Sequence, residues 1–372
     1  MKMIRRPISC LPILLIIMVL VSTNTQSVYG QDSTLSKVPI FIDEEPVKTK
    51  YIMREGHLLV PALFLKHTGT LVDWNDQYNS VVFQSEDNKI ALPVHKNVTQ
   101  EYDRATDTWE KGSLSTKTVK FEGNPFVPLV DVVKKLGMDV TYNSKRNRTF
   151  ITTNISIEPE SKAYTSINTS EKLVALTFDD GPENHYTPMI LDILNEKEVP
   201  ATFFSLGSQI THFPEMIQRI AEEGHGIGNH SWSHPDLSNT WSSKVKEEIH
   251  STQEEMQKVI GKKPDLFRPP YGVVTKADKR VLNNMGMRNI NWSVDTQDWS
   301  GLSANEIVET VQRDISPGGI ILQHNFQSDD DAKLLDGSVE ALPKIIDDLQ
   351  ERGYTFVTVQ TLLEQHSKQG QS

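Results

Sequence analysis

From residue 173 onward, short apolar runs alternate with longer amphipathic stretches, and this alternation limits the available folds more than any other feature of the chain. Candidate strands lie at 173–178, 201–206, 226–228, 266–268, 289–293, 319–323 and 355–359. Apolar residues at helical spacing occupy 213–223, 244–260, 276–285, 304–315 and 338–352. Strand, helix and strand in regular succession imply parallel strands covered by helices. Seven strands in this length favour closure over an open sheet, although periodicity alone leaves both available. The expected fold class is therefore α/β: a distorted (β/α) barrel of about seven strands, preceded by a small β-rich α+β domain.

That preceding domain, residues 38–153, contains a repeat. The first copy reads Leu59-Val60-Pro61, a short apolar-periodic segment, Gly69, Val72-Asp73-Trp74-Asn75 and Val81-Val82-Phe83. The second reads Phe126-Val127-Pro128, a similar segment, Gly137, Val140-Thr141-Tyr142-Asn143 and Thr149-Phe150-Ile151. Each copy predicts a strand edge, a short helix opened by proline, a glycine stop and a hairpin. The duplication resembles the small N-terminal domain named after copper amine oxidases. Neither copper nor oxidation follows from that name, since His57, His67 and His95 lack metal-ligand spacing. Wall attachment and passive spacing are both open as its role. Residues 154–172, rich in Ser, Thr, Asn and Glu, read as a linker.

At the N-terminus, Lys2, Arg5 and Arg6 precede an apolar run over 11–21, and Val28-Tyr29-Gly30 offers a cleavage point before Gln31. The run is shorter than the ~20 residues that span a bilayer. Residues 1–30 are therefore expected to be a secretory signal peptide, with an uncleaved membrane anchor as the alternative. Cys10, the one cysteine, precedes the run, so the mature chain would carry no disulfide. The net charge of −11 argues against nucleic acid as a partner. Nothing in the sequence points to a protein partner.

Five groups of chemically capable residues fall where strands end. Asp179-Asp180-Gly181-Pro182 places two carboxylates directly after an apolar strand, which is costly unless positive charge is close by. Asp-Gly-Pro is also ordinary turn chemistry. His230-Ser231-Trp232-Ser233-His234 has the four-residue spacing that lets two imidazoles on one face of a helical turn grip an ion, although two loop histidines would read the same way. Arg268-Pro269-Pro270-Tyr271-Gly272 is stiffened by its prolines and could aim the arginine and the tyrosine amide at one point, or serve only as a rigid turn. Asp295-Thr296-Gln297-Asp298-Trp299 follows the fifth strand, and Leu322-Gln323-His324 ends the sixth. A histidine there could act as a general acid if a carboxylate keeps it charged, although taken alone it reads as a packed histidine. Taken together, one Asp and two His leave a cation an open position for water, which is the catalytic pattern.

In this combination and order, the five motifs identify residues 173–366 as resembling the polysaccharide deacetylase family (carbohydrate esterase family four, or NodB-homology domain). By that resemblance Asp179 would be the general base, and Asp180, His230 and His234 the metal ligands. Arg268 would orient Asp179, and Asp298 would pair with His324, the general acid. Tyr271 would hold the oxyanion through its backbone N–H, while Trp299 and Leu322 would wall a pocket for the acetyl methyl. The implied cofactor is Zn²⁺, with Co²⁺ or Ni²⁺ as alternatives. The implied reaction is hydrolysis of N-acetyl groups on an amino-sugar polymer, with peptidoglycan N-acetylglucosamine first. N-acetylmuramic acid and chitin-like oligomers are the variants. A wall-associated structural protein with little turnover is the competing class. An exported, cell-wall-associated protein is expected in either case.

Overall fold

The computed structural model describes residues 35–155, 163–327 and 333–369. The expected signal segment, residues 1–30, lies outside the described residues.

In the N-terminal half, both copies of the repeat fold as the pattern predicts. Strand His57–Pro61, a helical turn over Ala62–Thr68 and hairpin Leu71–Asn75/Ser80–Gln84 form the first. Strand Asn124–Pro128, helix Leu129–Lys135 and hairpin Asp139–Asn143/Arg148–Thr152 form the second. Each helix starts just after a proline, and Gly69 (φ 89°) and Gly137 (φ 78°) turn the chain out of it in the left-handed region that glycine enters without a Cβ clash. The copies meet strand to strand, Val127 opposite Val60. One departure is that the first helix is a 3₁₀ helix, and Phe64, Leu65, Lys66 and Thr68 are all buried on it.

The C-terminal half is a curled sheet with every strand parallel. Leu173–Asp179 sits at its centre, flanked by Thr202–Ser205 and Gly319–His324. Gly226–Asn229, Leu266–Phe267 and Arg288–Asn289 extend one side; Val294–Asp295 ends the other, and Thr355–Phe356 pairs with the start of the central strand. Helices Pro214–Glu222, Ser242–Ile260, Lys276–Asn284, Ala304–Asp314 and Asp336–Glu351 lie near their expected places. Two of them start with reciprocal capping boxes, Thr275 with Asp278 and Ser303 with Glu306. Buried Val174, Leu176, Phe178, Phe203 and Ile321 from the strands pack on Ile190, Leu194, Ile307, Leu342 and Ile346 from the helices.

Three expectations are corrected. The strand expected at 289–293 breaks into Arg288–Asn289 and Val294–Asp295, which lie at opposite edges of the sheet. The barrel therefore stays open there, and residues expected to be linker enter the seam. Tyr164 donates its amide to the Asn289 carbonyl (2.8 Å) and accepts from the Asn291 amide (2.8 Å), while the Ile167 amide donates to the Gly318 carbonyl (2.9 Å). Ile167 is 2% exposed and joins the core, while Thr165, Ser166 and Asn168 around it stay exposed and disguise it. The strand expected at 355–359 stops at Phe356, and Val359 opens a final helix, Val359–Gln369.

Candidate active site

Strand register builds half of the site. On adjacent parallel strands Asp179 lies opposite His324, and Thr177 opposite Leu322. Side chains two apart on a strand share a face, so Thr177, Asp179, Leu322 and His324 all point the same way at the strands' C-terminal ends. Arg268 comes from the loop after Leu266–Phe267. It is fully buried, with its guanidinium 4.1 Å from the Phe204 ring centroid, and its Nη1 donates to Asp179 Oδ1 (2.7 Å) and to Thr177 Oγ1 (2.8 Å). This charge-assisted bond fixes one carboxylate oxygen and leaves Oδ2 facing the cleft, 3.8 Å from His230 Nε2.

The histidine pair converges differently from the helical turn expected. Residues 230–235 form a loop in which Ser231 (φ 71°) and His234 (φ 59°) are left-handed, and the two rings lie 5.0 Å apart between centroids. Asp180 (φ 76°), Tyr271 (φ 59°) and Gln297 (φ 53°) also hold positive φ around the cleft. Such conformations cost of order 1–3 kcal/mol each and persist where surrounding bonds enforce them. Here Glu248 accepts from the Trp232 amide (3.0 Å) and the Ser233 amide (2.8 Å). Sequence reasoning missed Glu248, although a charged residue beside the apolar stripe of Val245, Ile249 and Met256 was a signal.

His230 Nδ1 lies 2.8 Å from the Arg268 carbonyl, an acceptor, so Nδ1 carries a proton, and in the neutral ring it is Nε2 that presents a lone pair. Asp180 Oδ1 is buried without a hydrogen-bond partner, 3.3 Å from His230 Nε2 and 3.5 Å from His234 Nε2. Electron-rich atoms gathered this closely repel unless a cation or a proton lies between them. A tetrahedral ion with ligands at about 2.0–2.2 Å holds them roughly 3.3–3.6 Å apart, so the spacing fits. Among the described residues, Asp180, His230 and His234 are the one group arranged this way.

Burial disfavours a charged Asp180, but the His230 imidazole beside it, with His324 and His234 around it, holds its pKa down at about 2. Burial also opposes the charged form of His230; Asp179 and Asp180 overcome it and raise its pKa. At His234 burial wins and the pKa falls, which favours the neutral imidazole, the form able to ligate a cation.

Opposite the cluster, Asp298 is fully buried. Its Oδ1 accepts from His324 Nδ1 (2.8 Å) and its Oδ2 from the His324 amide (2.9 Å) and the Ser338 hydroxyl (2.8 Å). Burial would lower the His324 pKa, but the Asp298 carboxylate, with Asp180 and Asp179 further off, raises it to about 9. Ser338 was also missed; it sits on the buried stripe of its helix with Val339 and Leu342.

All ten residues expected at the site come together here. Asp179, Asp180, His230, His234, Tyr271, Trp299, Leu322 and His324 line a cleft of about 460 Å³ with Trp292 and Asp295, and Arg268 and Asp298 stand directly behind it. Tyr271 (65% exposed) and Trp299 (56%) flank the mouth with free ring surface, and Leu322 (4%) forms the floor.

A carboxylate and two imidazoles spaced so that they could hold a cation, a second carboxylate and a carboxylate-paired histidine are the groups a metal-dependent hydrolase uses. The polysaccharide deacetylase profile matches residues 166–290, and the copper amine oxidase N-terminal domain profile matches residues 41–152. A peptidoglycan-N-acetylglucosamine deacetylase of Bacillus cereus is 42% identical over 191 residues, covering 51% of this chain and 68% of that one. The peptidoglycan-N-acetylglucosamine deacetylase PgdA of Listeria monocytogenes is 30% identical over 344 residues, covering 91% of this chain, which spans 63% of that protein. The crystal structure of a peptidoglycan N-acetylglucosamine deacetylase with 4-naphthalen-1-yl-N-oxidanyl-benzamide superposes with a TM-score of 0.51 at 41% identity, over 53% of this chain and 91% of that one. The chain belongs to the polysaccharide deacetylase family and is a hydrolase of carbon–nitrogen bonds other than peptide bonds.

Proposed function

We propose that this protein is an exported deacetylase that removes acetyl groups from the N-acetylglucosamine residues of peptidoglycan. The observation that carries the reading is the convergence of Asp180, His230 and His234 between Asp179 on one side and the His324–Asp298 pair on the other. Asp180, His230 and His234 would hold a divalent cation, for which Zn²⁺ is the first candidate; once bound it would polarise the acetyl carbonyl and lower the pKa of an adjacent water from ~15.7 toward ~7.

The chain supplies the rest. Asp179, with Oδ1 tied to Arg268, accepts the water's proton on Oδ2. The Tyr271 backbone N–H, set by a left-handed turn after two prolines, donates to the oxygen as negative charge develops on it. His324, charged through Asp298, gives its Nε2 proton to the departing nitrogen, without which an amide nitrogen leaves poorly. Leu322 and Trp299 enclose the methyl group, and the products are acetate and a free amine.

Acetate release from N-acetylglucosamine oligomers and from muramic-acid-containing wall fragments tests this reading. Release should occur from glucosamine units, stop with a chelator and return with Zn²⁺, with Co²⁺ and Ni²⁺ as comparison arms. A metal-loaded protein that releases acetate from neither material would sink it. Release confined to muramic acid would move the target to that sugar.

The pH profile tests the acid. With His324 at about 9, activity should persist above neutrality and fall as pH rises through that value, because the deprotonated imidazole has no proton to give. In Asp298→Asn this limb should move down toward the ordinary histidine pKa of ~6.5. An unshifted limb would remove His324 from the acid role.

A further inference from the structure

We propose that the N-terminal domain is part of the metal site, with Lys66 and Asp73 acting as positioning residues that hold the loop bearing His234. The inference rests on the metal reading of Asp180, His230 and His234. It goes beyond that reading by giving this domain a role other than spacing or wall attachment.

Two anchors from the first repeat bracket the segment that follows His234. Lys66 is fully buried, and its Nζ donates to the carbonyls of Leu237 and Thr240 (2.7 Å for the latter) and pairs with Asp278 Oδ1 at 2.7 Å. A lysine sealed from water is stable only with its charge matched, and here the match comes from the other half of the molecule. Asp73 takes the other end. Helix Ser242–Ile260 has no side-chain cap of its own, and Asp73 Oδ1 accepts from the Ser243 amide at 2.6 Å. The Val72 amide donates to Ser242 Oγ (3.0 Å), and Trp74 stacks on Trp241 with 6.3 Å between centroids.

The same helix carries Glu248, which binds the Trp232 and Ser233 amides between the two histidine ligands. His234 is thus held from behind by Glu248 and from ahead by the Leu237–Thr240 turn, and the N-terminal domain fixes both supports. The loop needs them, because it contains two left-handed non-glycine residues that it would otherwise relax. Groups that orient metal ligands typically govern affinity by about 10–100-fold.

The test uses the full chain and Zn²⁺. Asp73→Ala, and Lys66→Met combined with Asp278→Asn, are compared with Lys276→Ala, which breaks the Lys276–Asp43 ion pair at the same interface away from the loop. The paired substitution removes both buried charges together. Asp73→Ala keeps the test open should that pair fail to fold. Both should weaken Zn²⁺ binding by about 10-fold in chelator competition, and lower kcat at subsaturating metal with little change in KM. Asp73→Asn, which can still accept from the Ser243 amide, should restore the affinity. Lys276→Ala should lower the melting temperature alone.

Folded Asp73→Ala protein with a lower melting temperature and wild-type Zn²⁺ affinity would overturn the inference and leave the metal reading intact. A Zn²⁺ affinity left at the wild-type value by His230→Ala would overturn both.

Discussion

Asp179→Asn should lower kcat by about 10²–10⁴-fold, the usual worth of a positioned general base, while the protein still takes up metal. Asparagine has the same shape, and its side-chain oxygen can still accept from Arg268. What disappears is the capacity of the second oxygen to take a proton. Arg268 then lies buried beside a neutral group, so a fall in melting temperature should accompany the loss of turnover. Asp179 is also one of the charges that raise the His230 pKa, so its removal should ease deprotonation of that ligand. Metal content by elemental analysis and acetate release would be read on the same sample. Near wild-type turnover would take the base role from Asp179, and loss of metal would make it a ligand.

His230→Ala should cost more metal affinity than the roughly 10–100-fold expected of supporting residues, because it deletes one of three ligands. Activity should fall with metal content and recover in part at high Zn²⁺. The same histidine gives wild-type binding a pH dependence of known sign. Asp179 and Asp180 raise the His230 pKa, and a ligating nitrogen must be free of its proton, so affinity should fall as pH falls. Equilibrium dialysis across pH would show both effects. Unchanged metal content in the variant would mean that the ligand set is wrong.

Much of the catalytic half was legible because its signals are local. Apolar runs at 173–178 and 319–323 read as buried strands, and the polar groups after them had to be functional or solvated. The proline-opened, glycine-closed repeat was equally local. The geometry of the histidine pair was not, because its four-residue spacing matches a helix while the loop reaches the same convergence through positive φ at Ser231 and His234. Glu248, Ser338 and Lys66 act over long sequence separations, and their partners became visible only when distant elements packed together. Tyr164 to Ile167 escaped notice because a segment of alternating polar residues reads as linker until the sheet edge it occupies is seen.

That short inserted segment decides where the catalytic half begins. A fragment started at residue 173 would be a cask missing a stave: the Asn289 carbonyl and Asn291 amide would lose their main-chain partners, and the bed of Ile167 would open to water. The raw margin so uncovered is a template for joining another chain, so such a truncation invites self-association.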